Sequence, residues 1–84
     1  MAWYVYMLRC GDGSLYTGYT DNVERRLAVH QSGKGAKYTR SRLPVTLAYQ
    51  EELPDKSAAL RREAAIKSLT RSEKLALLQT TENC

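Results

Sequence analysis

Phenylalanine is missing from this 84-residue chain, and tryptophan and histidine occur once each, as Trp3 and His30. Six tyrosines therefore carry most of the aromatic character. The two cysteines, Cys10 and Cys84, are too few and too far apart for a disulfide framework or a zinc cluster. They are expected to be ordinary thiols of a reduced, cytoplasmic protein, with Cys84 in a tail of the kind that frays. No apolar run approaches the roughly 18 residues of a membrane span. The N-terminal stretch MAWYVYMLRCG has no basic region ahead of it and no small-residue cleavage site, so it reads as a first strand and not as a signal peptide. No repeat, linker or low-complexity segment divides the chain, and the expectation is a single domain over residues 1–84 with a small core. So small a body has little volume for a deep pocket, which argues against a small-molecule enzyme.

What is present is basic. Thirteen Lys and Arg against nine Asp and Glu leave a formal charge of +4, and an apolar content of 43% is enough for a globular fold without staples. A basic surplus favours polyanions, because each neutralised phosphate releases counterions.

Residues 3–9, WYVYMLR, are aromatic and β-branched and predict a strand; CGDGS, 10–14, is turn chemistry; LYTGY, 15–19, completes an N-terminal hairpin. A pairing centred near Gly11 would set Tyr6 opposite Tyr16. The period then changes. Asp21 and Glu24 have capping-box spacing, with Asp21 in the cap role, and Val23 and Leu27 lie four apart, so a helix is expected over about 22–31, ending at SGKG, 32–35. KGAKYTRSRLP, 34–44, reads as a basic loop. Residues 45–51, VTLAYQE, place Val45, Leu47 and Tyr49 on one side of a third strand, with Pro44 at its entry. DKSAALRREAAIKSL predicts a helix starting at Asp55 or Ser57, and Thr70 with Glu73 forms a capping box for a last helix striped by Leu75 and Leu78. The order β-β-α-β-α-α implies an α+β fold, a small three-stranded sheet flanked by three helices.

Arg26 and His30 are four apart and share a helix face. The planar fork of Arg26 suits a phosphate oxygen, and His30 suits proton exchange near neutral pH. Against this, a histidine near a helix end on a solvated face simply complements the dipole, and strand tyrosines such as Tyr6 and Tyr16 usually serve packing. Glu63 precedes Lys67 by four residues, the spacing of a plain ion pair. It also suits Mg²⁺, which often takes one or two protein carboxylates and otherwise water and substrate phosphate. Lys37, Arg40 and Arg42 around Tyr38 fit either a solvated loop or a nucleic-acid backbone with an unstacked base.

The run YVY at 4–6, then YTG at 16–18, then RRLAVH at 25–30, then a helical glutamate at 63 resembles the GIY-YIG nuclease superfamily over essentially the whole chain. The compact length, GAKYTR and RREAAIK are similar to the stand-alone bacterial UPF0213 group. The superfamily includes excision-repair nucleases, homing endonucleases and branch-resolving endonucleases. The resemblance implies a metal-dependent endonuclease, with Mg²⁺ or Mn²⁺ as cofactor. Its site would hold Tyr6, Tyr16, Arg26, His30 and Glu63, with Glu63 the single metal ligand. Gly18 matches the final motif glycine, where a missing side chain would let phosphate approach the backbone. The first motif begins here with Tyr4 in place of glycine and the second carries Thr17 in place of isoleucine; a late asparagine of several relatives has only Asn83 near its place.

In the implied chemistry Glu63 holds the metal on the scissile phosphate, and Tyr16 or Tyr6 helps a water attack. His30 is the fallback base, since a free phenol has a pKa of about 10. Arg26 balances the charge that builds on the phosphoryl oxygens. DNA ahead of RNA is the expected partner, in repair or recombination. Without a long recognition helix or zinc module, substrate choice falls to shape, single-strandedness or a protein partner. Two other classes stay open. One is a non-catalytic nucleic-acid-binding module using Arg26, Lys37, Arg40 and Arg42. The other is an adaptor whose contact surface is the tyrosine-rich hairpin with Trp3.

Overall fold

In the computed structural model, which describes the backbone of residues 2–82 and the side chains of residues 2–79, β1 (Trp3–Arg9) and β2 (Leu15–Thr20) form an antiparallel hairpin. Asn83 and Cys84 lie outside the described residues; Cys10 is a buried free thiol. The turn sets the register. The Asp12 carboxylate accepts from Ser14 N (3.0 Å) and Ser14 Oγ (2.6 Å), and Gly13, at φ 85°, donates to Cys10 O (2.9 Å). All five turn residues are spent in the loop, so the pairing centres on Asp12 and not on Gly11. Tyr6 therefore faces Gly18, and Tyr16 faces Leu8, correcting the expectation that the two tyrosines oppose each other. A slip of two residues keeps side chains on their face, so Tyr6 and Tyr16 become diagonal neighbours.

β3 (Thr46–Leu53) pairs antiparallel with the other side of β1, giving the strand order β2-β1-β3. Met7 opposes Tyr49 and Leu8 opposes Leu47, which leaves Ala48 as an extra residue, a β-bulge. The expected single stripe of Val45, Leu47 and Tyr49 is thereby broken. Tyr49 packs with Val5 and Met7, Val45 packs on the opposite face with Tyr6 and Leu8, and Leu47 is exposed.

Helix α1 (Val23–Gln31) starts one residue later than its capping-box pattern suggested. Asn22, not Asp21, is the cap: its side chain accepts from Arg25 N at 3.0 Å, while Asp21 pairs with the Arg25 guanidinium at 3.4 Å. Thr20 Oγ1 accepts from Asn22 N at 3.1 Å and fixes the cap in place. Within the expected basic loop there is a short helix, α2 (Lys37–Arg40), anchored by the buried Thr39. The order thus becomes β-β-α-α-β-α-α, and the α+β class stands.

The last two helices follow their sequence signals. Asp55 caps α3 (Lys56–Lys67) by accepting from Ala58 N at 2.8 Å. The capping box at the head of α4 (Arg71–Glu82) is reciprocal, with Thr70 N to Glu73 Oε1 at 2.9 Å and Glu73 N to Thr70 Oγ1 at 3.2 Å. Such a cap contributes about 1 kcal/mol.

The sheet has a helix layer on each face. On one, Val5, Met7 and Tyr49 pack with Ala59 and Ile66 of α3 and Leu78 of α4; on the other, Tyr6, Leu8, Cys10 and Val45 pack with Leu27 of α1. Among the described residues no helix is long and apolar enough to cross a membrane.

Candidate active site

A cleft of about 380 Å³ opens along β2, an edge strand, between α1 and α3. Tyr6, Tyr16, Gly18, Arg26 and Glu63 all line it. Five of the sequence-selected residues thus meet in one place, although they come from two strands and two helices.

His30 is placed differently. It is 0% exposed and has no surface from which to touch a water or a substrate. The expectation of a histidine on a solvated face is overturned, because α1 turns this residue under the hairpin. Its Nε2 lies 3.1 Å from Tyr6 Oη, and its Nδ1 lies 2.8 Å from Thr39 Oγ1. The Tyr16 ring also packs on it, 5.2 Å between centroids. Burial, and then the positive charge of Arg26, lower its pKa and keep the imidazole neutral. Burial raises the pKa of Tyr6; the Arg26 guanidinium opposes this, and the Tyr16 and Glu63 charges reinforce it.

Gly18 serves Tyr6 first. A Cβ at this position would stand 2.6 Å from Tyr6 Oη, so the space that glycine leaves is filled by the phenol, whose oxygen thereby reaches the cleft wall.

Two residues of the basic segment are bound up in supporting Tyr16. Tyr38 stacks on Tyr16 with centroids 5.9 Å apart. The Arg42 guanidinium caps the Tyr38 ring at 4.0 Å and pairs with Asp12 at 3.1 Å. Arg42 also donates to Tyr38 O at 2.9 Å. Its charge is thus neutralised within the fold, whereas Lys37 and Arg40 are exposed; none of the three lines the cleft.

Glu63 is half-buried, and its Oε2 pairs with Lys67 Nζ at 3.5 Å. One helical residue earlier, Arg62 clamps α3 to β3 through Glu51 at 2.8 Å, fixing the rotation of the helix that carries Glu63. Among the described residues no three His, Cys, Asp or Glu side chains gather as a metal cage. Asp21 and Glu63 do share the cleft lining. One or two carboxylates in an open cleft fit Mg²⁺, a hard ion that keeps several waters, and do not fit a closed protein cage.

Sequence reasoning missed Thr39 and part of the cleft wall, namely Trp3, Asp21, Arg25 and Lys56. Thr39 sits in a run of basic residues that gave no sign of burial. Trp3 and Lys56 are brought together only by the packing of α3 against the sheet, with Lys56 Nζ 5.6 Å from the indole ring.

Comparison with known proteins identifies the family. Residues 2–76 match the GIY-YIG catalytic domain, and the chain belongs to that family, within the GIY-YIG nuclease superfamily. A UPF0213 protein of Streptococcus sanguinis (strain SK36) is 63% identical over 81 residues, which are 95% of this chain and 93% of that protein. The UPF0213 protein NP_0776A of Natronomonas pharaonis is 61% identical over 71 residues, 84% of each chain. The solution NMR structure of the UPF0213 protein BH0048 from Bacillus halodurans matches with a TM-score of 0.62 at 50% identity, covering 95% of this chain and 85% of that one.

Proposed function

We propose that this protein is a metal-dependent phosphodiesterase that cuts nucleic acid, DNA ahead of RNA, in the cytoplasm and in repair or recombination. The observation that carries the reading is the convergence of Tyr6, Tyr16, Arg26 and Glu63 on one open cleft, with His30 buried behind Tyr6. Glu63 would hold Mg²⁺ or Mn²⁺, which when bound supplies charge stabilisation at the phosphoryl oxygens. Arg26 holds a non-bridging oxygen and balances the charge that grows there. Tyr6 works as a relay. Its oxygen takes a proton from the attacking water as its own O–H proton passes to His30 Nε2, so the high-energy phenolate need not build up. Tyr16, held by Tyr38, walls the same space and orients the phosphate or the water. Trp3, Arg25 and Lys56 extend the wall beyond the reacting centre, where flanking nucleotide contacts would fall.

The test is cleavage of end-labelled DNA and RNA, single-stranded, duplex and branched, with Mg²⁺, Mn²⁺ or EDTA, for wild type and Glu63→Ala purified side by side. Metal-dependent cutting that disappears in the variant supports the reading; equal cutting by both proteins refutes the assignment of Glu63. The Glu63–Lys67 pair favours a second reading, a binding module with an idle metal site. In that case quenching of Trp3 fluorescence would report salt-sensitive binding with no cleavage under any metal.

A further inference from the structure

Thr39 lies within GAKYTR, 35–40, where the family resemblance assigned it no role, yet it is 0% exposed and sits directly behind His30. Three polar contacts run in line: Tyr6 Oη to His30 Nε2 at 3.1 Å, His30 Nδ1 to Thr39 Oγ1 at 2.8 Å, and Thr39 Oγ1 to Ala36 O at 3.0 Å. A neutral imidazole brings one N–H and each hydroxyl brings one O–H, while a carbonyl only accepts. Three protons must serve three contacts.

Only one assignment does so. With the ring proton on Nδ1, His30 donates to Thr39, Thr39 donates to Ala36 O, and Tyr6 donates to Nε2. With the ring proton on Nε2, His30 donates to Tyr6, and the single Thr39 proton must choose between Nδ1 and Ala36 O. Two bare acceptors are then left facing each other at 2.8 or 3.0 Å. Ala36 O keeps its backbone donors, Thr39 N at 3.0 Å and Arg40 N at 3.1 Å, but either choice presses two lone pairs together in a buried site with no proton between them. Gly35 keeps this geometry possible, since a Cβ there would overlap His30 Nδ1 and lie 2.8 Å from its Cγ.

We propose that Thr39 is a positioning residue that locks His30 in the Nδ1–H tautomer and so leaves Nε2 bare to receive the Tyr6 proton. The catalytic half of this statement rests on the relay described above. The tautomer half does not, and the two are separable.

His30 is the only histidine of the chain, so the imidazole ¹⁵N spectrum contains one pair of ring signals. Recorded at pH 8, where the ring is neutral, the wild type should show the Nδ1–H pattern. Thr39→Val removes the hydroxyl and should shift the ring toward Nε2–H, and Thr39→Ser should restore the wild-type pattern. Single-turnover cleavage by Thr39→Val should fall by roughly tenfold to a hundredfold, the lower range for loss of a proton acceptor, with Thr39→Ser close to wild type. Amide spectra check folding, and Thr39→Ala is the second variant should Thr39→Val fail to fold. An Nε2–H wild type, or a hydroxyl-free variant with unchanged tautomer, overturns the proposal. So does a variant that changes tautomer yet cuts at the wild-type rate. A wild type that cuts nothing refutes the nuclease reading instead, and the spectrum still decides the tautomer.

Discussion

Gly18 lies directly across the hairpin from Tyr6, and the phenol oxygen occupies the place where a Gly18 side chain would begin, 2.6 Å from an ideal Cβ. Strand backbone cannot step aside without disturbing the pairing of β2 with β1. Gly18→Ala should therefore push Tyr6 away from His30 and lose about 1–3 kcal/mol of stability, the usual cost of overpacking. Chemical denaturation measures the loss, and the cleavage rate should fall further than stability alone explains, because the Tyr6–His30 bond is 24 residues long-range and has no substitute.

Stability should depend on pH at both ends. His30 is held below the ordinary imidazole range by burial and by Arg26. In the unfolded chain it protonates near pH ~6.5, so below that value the unfolded state binds the extra proton. Stability is full above about pH 6.5 and drops as pH falls toward the lowered folded pKa. Tyr6 gives the opposite limb. Burial raises its pKa, with Arg26 opposing, so the unfolded phenol ionises first and stability declines as pH climbs past about 10. Thermal midpoints across pH check this: His30→Gln should flatten the acid limb, and Tyr6→Phe the alkaline one.

Lys67 pairs with Glu63 at 3.5 Å from a side chain that is 54% exposed, so the pair contributes only about 0.3–0.5 kcal/mol. Lys67→Ala should leave the melting temperature nearly unchanged. It should lower the Mg²⁺ concentration needed for half-maximal cleavage, since a competing cation has been removed from the carboxylate. An unchanged Mg²⁺ dependence would show that Glu63 does not meet the metal.

The basic segment should split into two behaviours. Lys37 and Arg40 are exposed, and removing either should weaken nucleic-acid binding across sequences and reduce the salt slope by about 1. Arg42 is neutralised by Asp12 and spent on Tyr38, so Arg42→Ala should leave the salt slope almost unchanged. It should instead loosen the Tyr38–Tyr16 stack and slow the chemical step. Binding isotherms at several salt concentrations separate the two.

Elements whose signals are local were legible in the sequence. The aromatic, β-branched run at residues 3–9 matches β1 residue for residue, and the Thr70–Glu73 box forms as its spacing implied. What depends on the geometry of a turn or on distant contacts was not. The hairpin centre was decided by Asp12 bonding Ser14, and the bulge at Ala48 by the need to give Val45 and Tyr49 separate cores. In the site, the identities of Tyr6, Tyr16, Arg26 and Glu63 came from ordered motifs. The burial of His30 and the presence of Thr39 behind it did not, because a nine-residue helix with polar residues on several sides does not declare which one faces inward.

Gly18, Tyr19 and Thr20 are successive residues whose side-chain positions alternate between the two faces of β2, yet all three line the cleft. The cleft therefore wraps the rim of the sheet. A further strand docking on β2 would seal it, so the rim that most sheet proteins must shield from unwanted partners has to stay open here. Self-association by strand addition is compatible with an accessible cleft only through β3 at the opposite rim. An extended peptide docked on the β2 rim would thus close the cleft without touching Glu63.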